Sequence, residues 1–301
     1  MTEKSADPSL GEGSSHNPVR FPPWLKRPAA FSGKQNQTVR LIESGGLHTV
    51  CSEAKCPNRG ECFSRGSAAF LILGSVCTRN CAFCGVSNGK PQNPDPLEPY
   101  NLAQTAHKMG LEHVVITSVT RDDLSDGGAS VFAQTVREVR KVLPLAAIEV
   151  LIPDFQGSAQ SLMTVLDSRP DVLNHNIETV PRLYSIIRPQ ALYHRSLELL
   201  KRSAEDGRAK AKSGIMVGLG ETEQEVFEVF RDLRSAGVSI LTVGQYLRPS
   251  RHQVSVKQFI TPEQFARYEE EAKAAGFEQV FSGPYVRSSY MAGEQFRSVG
   301  K

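Results

Sequence analysis

The chain has no run of about eighteen apolar residues, the length a membrane-spanning helix requires, so a membrane role is not expected. Its opening, MTEKSADPSLGEGSS, lacks the apolar stretch of a secretory leader, and acidic Glu3, Asp7 and Glu12 are out of place in a basic organelle-targeting peptide. A soluble, cytoplasmic protein is expected. Charge of one sign is also scarce: 35 Lys and Arg stand against 32 Asp and Glu, and a net +3 gives no ground for nucleic acid or an anionic membrane as the main partner. Any basic surface must be local. Cysteine, finally, is absent from everything after Cys84.

All six cysteines therefore crowd into one stretch: Cys51, Cys56, Cys62, Cys77, Cys81 and Cys84. Disulfides would explain this in a small secreted chain, but a 301-residue chain without a leader is expected in a reducing compartment where thiols stay free. Metal or cluster ligation is favoured. Cys77, Cys81 and Cys84 form C-x3-C-x2-C, and three thiolates on one tight loop can hold three irons of a 4Fe-4S cubane while leaving the fourth open to a small molecule. Zinc is the competing reading, but it takes four tetrahedral ligands, usually as two close pairs, and only Cys81 and Cys84 make such a pair. Cys51, Cys56 and Cys62 form C-x4-C-x5-C, again three ligands. Alone they could be a zinc knuckle or buried thiols; beside the first loop, a second cluster is the better explanation. With no seventh cysteine, its fourth ligand must be His, Ser, a carboxylate or a small molecule.

Residues 1–20, rich in Ser, Gly, Pro and charge, are expected to form a disordered tail. Residues 21–68 read as an N-terminal extension with a short helix and the first triplet. From residue 69 to 283, apolar runs alternate with amphipathic segments. The runs AFLILG (69–74), HVVITSV (113–119), IEVLIP (148–153), DVLNHNI (171–177), SGIMVG (213–218) and ILTVGQY (240–246) predict six buried parallel strands. Helical spacing in GASVFAQTVREVRKVL, SAQSLMTVLDS, ALYHRSLELLKRSAEDG and ETEQEVFEVFRDLRSAG predicts the crossovers. The expected class is α/β, a partial TIM-type (β/α)6 barrel with extensions at both ends, because polar residues gather where strands end, in TSVTRDD, HNIET, GLGET and GQYLRPS. A further helix, TPEQFARYEEEAKAAG, and a strand-like FEQVFSG lead into a tail over 284–301.

CSEAKCPNRGECF, CTRNCAFCGV and the RSSY near the C-terminus together resemble the motif set of the lipoyl synthases, a radical S-adenosylmethionine (SAM) family. The similarity runs through VVITSVTRDDLSDGGA, HNIETVPRLYSIIRPQALYHRSL, KSGIMVGLGET and LTVGQYLRPS, over residues 40–292. Two departures stand out: Thr120 where many members have Asp, and Met291 where many have His. The resemblance implies two 4Fe-4S clusters and SAM, with Cys77, Cys81 and Cys84 holding the radical-generating cluster. It also implies Ser288, the first serine of RSSY, as fourth ligand beside Cys51, Cys56 and Cys62. A hydroxyl binds iron more weakly than a thiolate, which suits a cluster that gives up sulfur. The implied reaction adds sulfur at C6 and C8 of an octanoyl chain on a lipoyl-carrier domain or glycine-cleavage H protein, with ferredoxin or flavodoxin as electron donor. No nucleic acid or membrane partner is expected.

Strand-end residues are then the candidate SAM contacts: Thr117, Ser118 and Asp122 after the second strand, Asn176 and Glu178 after the fourth, Arg188 in the following loop, and Gly218 and Glu221 in GLGET. Arg188 suits the SAM carboxylate and Glu178 the ribose hydroxyls; surface ion pairs are the competing explanation for each. His107, His113, His194 and His252 lack ligand spacing and read as structural or solvent-facing. Other auxiliary-cluster radical SAM enzymes are the alternative function, and a two-cluster electron carrier the non-enzymatic one.

Overall fold

The computed structural model describes residues 21–27 and 32–297; the expected disordered tail over 1–20 and the end of the chain over 298–301 lie outside the described residues. A short edge strand, β1 (His48–Thr49), pairs antiparallel with β2 (Ala69–Ile72), whose four residues are all buried. After a small parallel pair, β3 (Val76–Cys77) with β4 (Ser87–Asn88), the chain adds β5 (His113–Ser118), β6 (Ala147–Leu151), β7 (Val172–Asn174), β8 (Lys210–Val217), β9 (Ile240–Gln245) and β10 (Gln279–Gly283). The main sheet runs β1-β2-β5-β6-β7-β8-β9-β10, parallel throughout except at β1. All six expected strands are present, and the strand-like FEQVFSG adds a seventh parallel one. Among the described residues β1 and β10 each have a single neighbour, so the barrel is open.

Helices cover the outer side because their apolar stripes match the sheet. Ahead of β2 come α1 (Gly33–Ser44), α2 (Val50–Glu53) and α3 (Arg59–Ser64). Next are α4 (Glu98–Lys108) and α5 (Ala129–Val142), the latter burying Phe132, Val136 and Val139 on one stripe. α6 (Ala159–Leu166), α7 (Tyr184–Ile187), α8 (Tyr193–Asp206), α9 (Glu223–Ser235) and α10 (Pro262–Ala274) complete the ring. Thr222 and Glu225 close a capping box at the start of α9, fixing how the chain leaves β8; such a cap contributes about 1 kcal/mol. Among the described residues no helix is long and apolar enough to cross a membrane.

The inner side of the sheet holds the chain's own tail. Leu241 and Val243 of β9 pack outward with Val226, Val229 and Phe230 of α9, which turns Thr242 and Gly244 inward. A side chain on Gly244 would occupy the place of the Val286 carbonyl, and a Cβ on Gly214 would sit 2.9 Å from Ser288 Oγ. These two glycines clear a path for residues 286–288. Within the described residues the last element of the tail is α11 (Ala292–Arg297), which packs against β5.

Candidate active site

The C-x3-C-x2-C segment is pinned at each turn. The Thr78 amide donates to Thr120 O (3.0 Å), the Ala82 amide to Ile187 O (2.9 Å), the Gly89 amide to Cys77 O (2.9 Å), and the Asn80 amide to Gln190 Oε1 (2.8 Å). Backbone amides of Arg79 and Thr120 point at Cys77 Sγ, at 3.4 and 3.3 Å. Arg79, between the first two cysteines, is buried and donates to both Asp122 oxygens (2.6 and 2.9 Å) and to Asp154 Oδ1 (2.6 Å). Burial pushes the Asp154 carboxyl up, but the Arg79 guanidinium overrides it and holds it at about 2. A charged clamp therefore fixes the loop to the ends of two strands.

The other triplet rides on short helices, with Cys51 in α2, Cys62 in α3 and Cys56 between them. The two cysteine segments touch: a Cβ on Gly85, next to Cys84, would lie 2.9 Å from the Ala54 carbonyl. The tail is tied to the same place. Asn58 Nδ2 donates to Tyr285 O (2.7 Å), Tyr290 Oη to Glu61 Oε1 (3.1 Å), and Arg27 stacks 3.6 Å from the Tyr285 ring centre.

These contacts frame a cavity of about 330 Å³. Cys51, Cys56, Cys77, Cys81, Cys84 and Ser288 line it, and so do Thr117, Ser118, Asn176, Glu178 and Arg188. Cys62, Asp122, Gly218 and Glu221 are not among its lining residues. Burial pushes the thiols of Cys51, Cys62 and Cys84 up, to about 11, about 12 and about 12, and raises that of Cys81. A nearby cation such as iron would favour the thiolate form at these positions. Among the described residues no three His, Cys, Asp or Glu side chains gather around a point fit for one ion. A cubane would take each thiolate on a different iron.

Unsatisfied polar atoms mark one side of the cavity. Ser118 Oγ and Arg188 Nε are buried without a hydrogen-bond partner, although Arg188 Nη1 donates to Asn176 O (3.0 Å) and Tyr184 Oη (3.0 Å). A polar ligand would complete both groups. Burial raises the Glu178 carboxyl while Arg188 and a hydrogen bond from Asn176 Nδ2 (3.1 Å) pull it back. The residues present fit both a SAM-sized ligand and two clusters.

Three candidates are engaged elsewhere. Asp122 is the bidentate partner of Arg79, so it acts on the loop from outside the cavity. Glu221 turns back on its own loop, where it accepts from the Gly218 and Leu219 amides. Thr117 Oγ1, though on the lining, donates to Leu151 O (2.9 Å). Sequence reasoning passed over Arg79 and a buried pair, Glu149 and Lys212. Charged residues inside the apolar runs IEVLIP and KSGIMVG were the available signal. His113, read as structural, lies 3.4 Å from Glu149 Oε2.

Residues 71–233, over half the chain, match the family model described as the Radical SAM superfamily. Among curated proteins, the chain is similar to a lipoyl synthase of Caldanaerobacter subterraneus subsp. tengcongensis, 54% identical over 91% of this chain and 96% of that one. It is also 53% identical to a lipoyl synthase of Rubrobacter xylanophilus, over 91% of this chain and 86% of that one. Among solved structures, Streptococcus suis SuiB bound to S-adenosylmethionine aligns with a TM-score of 0.56 at 12% identity, over 74% of this chain and 53% of SuiB. The hydrogenase maturase HydG of Carboxydothermus hydrogenoformans aligns with a TM-score of 0.55 at 15% identity, over 76% of this chain and 65% of HydG. At such identities these two speak for the fold alone.

Proposed function

The chain belongs to the lipoyl synthase family of the radical SAM superfamily, and from that premise we infer that it adds sulfur at C6 and C8 of an octanoyl chain. The acceptor is a lipoyl-carrier domain or glycine-cleavage H protein with the octanoyl group on a lysine, and ferredoxin or flavodoxin supplies electrons. When bound, SAM and the two 4Fe-4S clusters supply the electron, a radical able to take hydrogen from an unactivated carbon, and the sulfur.

The protein's part is to hold, orient and enclose. Cys77, Cys81 and Cys84 would hold one cluster and Cys51, Cys56, Cys62 and Ser288 the other. Arg188 offers its unpartnered Nε to the SAM carboxylate, Ser118 its hydroxyl, and Glu178 its carboxylate to the ribose. Ser288 Oγ donates its proton to Asn176 Oδ1 (2.7 Å), which leaves the oxygen lone pairs free for iron. Phe83, Leu151, Met216 and Tyr246 give the cavity apolar walls, a fit for an alkyl chain and a barrier to water.

The observation that carries this reading is that five of the six cysteines and Ser288 line a single cavity. The test separates the two triplets. Replacing Cys77, Cys81 and Cys84 with Ala is expected to abolish SAM cleavage, measured as 5'-deoxyadenosine. Replacing Cys51, Cys56 and Cys62 is expected to leave SAM cleavage but end sulfur insertion. If the first variant still made 5'-deoxyadenosine, or the second still made lipoyl product, the assignment would be wrong.

A further inference from the structure

Resting on the assignment of Ser288 above, we propose that Lys212 and Glu149 are a positioning pair that sets Ser288 at the cavity. Lys212 of β8 and Glu149 of β6 are each 1% exposed. The ammonium donates to both Glu149 oxygens (2.9 and 3.1 Å) and to the backbone carbonyl of Ser288 (2.7 Å). Asn174 Nδ2 also donates to Glu149 (3.2 Å), and His113 stands 3.4 Å away, so the carboxylate is held from several strands.

Taking two charges out of water is costly, and well-packed apolar residues often stabilise a core as much or more. Stability alone therefore does not account for the pair. The third hydrogen bond does: it crosses from the barrel strand to the tail and fixes the Ser288 backbone. Asn176 holds the same residue through its hydroxyl, and Gly214, two residues along the inner face from Lys212, leaves just enough room beside it. The serine is clamped through backbone and side chain, which fixes where its oxygen stands on the cavity wall shared with Cys51 and Cys56. Groups that orient a metal ligand without touching the metal commonly change affinity or activity by roughly ten- to a hundredfold when lost.

The experiment uses full-length protein carrying Cys77→Ala, Cys81→Ala and Cys84→Ala, so that reconstitution loads only the Cys51/Cys56/Cys62 site, and reads iron content and the Mössbauer spectrum. Lys212→Met leaves Glu149 stranded and tests the pair at its most disruptive; Lys212→Met with Glu149→Leu removes both charges and keeps the core packed. We expect Ser288→Ala to change the spectrum, the double substitution to reproduce that change, and Ser288→Ala added to it to do nothing more. In protein with all cysteines intact, the double substitution is expected to lower sulfur insertion by roughly tenfold or more while SAM cleavage persists. A wild-type spectrum in the double variant, or effects that add to those of Ser288→Ala, would overturn the positioning role while leaving Ser288 as ligand. An unchanged spectrum in Ser288→Ala alone would remove the ligand assignment, and the positioning role with it.

Discussion

Arg188 shows how much a single side chain can be asked to do. Its Nη1 is engaged by Asn176 O and Tyr184 Oη, and its Nε is buried with no partner, so the guanidinium is already oriented before a ligand arrives. Arg188→Lys keeps a cation but loses the planar fork. A charge-assisted hydrogen bond contributes about 1.5–3 kcal/mol, so the substitution is expected to weaken SAM binding roughly ten- to a hundredfold. Equilibrium binding of SAM to the reconstituted protein measures this, and unchanged affinity would place the SAM carboxylate elsewhere. At this scale the cysteines were the most legible residues, because their spacing alone restricts what they can hold. The polar strand-end residues were less so. Position near a strand end told that Asp122 and Glu221 face the right end of the barrel, but not that Arg79 and the Gly218 and Leu219 amides engage them first.

Among the elements, the strands and long helices follow the hydrophobic period closely, and α5, α8, α9 and α10 fall inside the segments expected from sequence. Two-residue strands such as β1, β3 and β4 carry no period and were invisible, although β3 and β4 brace the cysteine loop. The path of the tail was equally hidden. It depends on what Gly214 and Gly244 lack, and an absent side chain has no pattern to read. Gly244→Ala should therefore displace the tail at Val286. Overpacking of this kind costs about 1–3 kcal/mol, and because the tail carries Ser288, sulfur insertion should fall further than SAM cleavage. Thermal melts with both product assays measure this, against Gly33→Ala as control, where an added Cβ meets nothing. Equal loss of the two activities would mean that the tail merely stabilises the fold.

For the whole molecule, the arrangement is an open barrel whose N-terminal extension and C-terminal tail, within the described residues, are drawn together at one place. The N-terminal extension brings Cys51, Cys56 and Cys62, the first barrel loop brings Cys77, Cys81 and Cys84, and the tail brings Ser288, with Asn58, Tyr285, Tyr290 and Glu61 linking extension to tail. The family and the barrel class were readable because three separated motifs agreed; their convergence was not, since no local pattern states which distant segments meet. The central claim is that this convergence serves sulfur transfer to an octanoyl chain. It is tested most directly by mass spectrometry of an octanoylated carrier peptide after anaerobic incubation with the reconstituted protein, SAM and a reductant. The account predicts a gain of two sulfurs and, once the two thiols close to a disulfide, a loss of two hydrogens; an octanoyl chain of unchanged mass while SAM is consumed would contradict it.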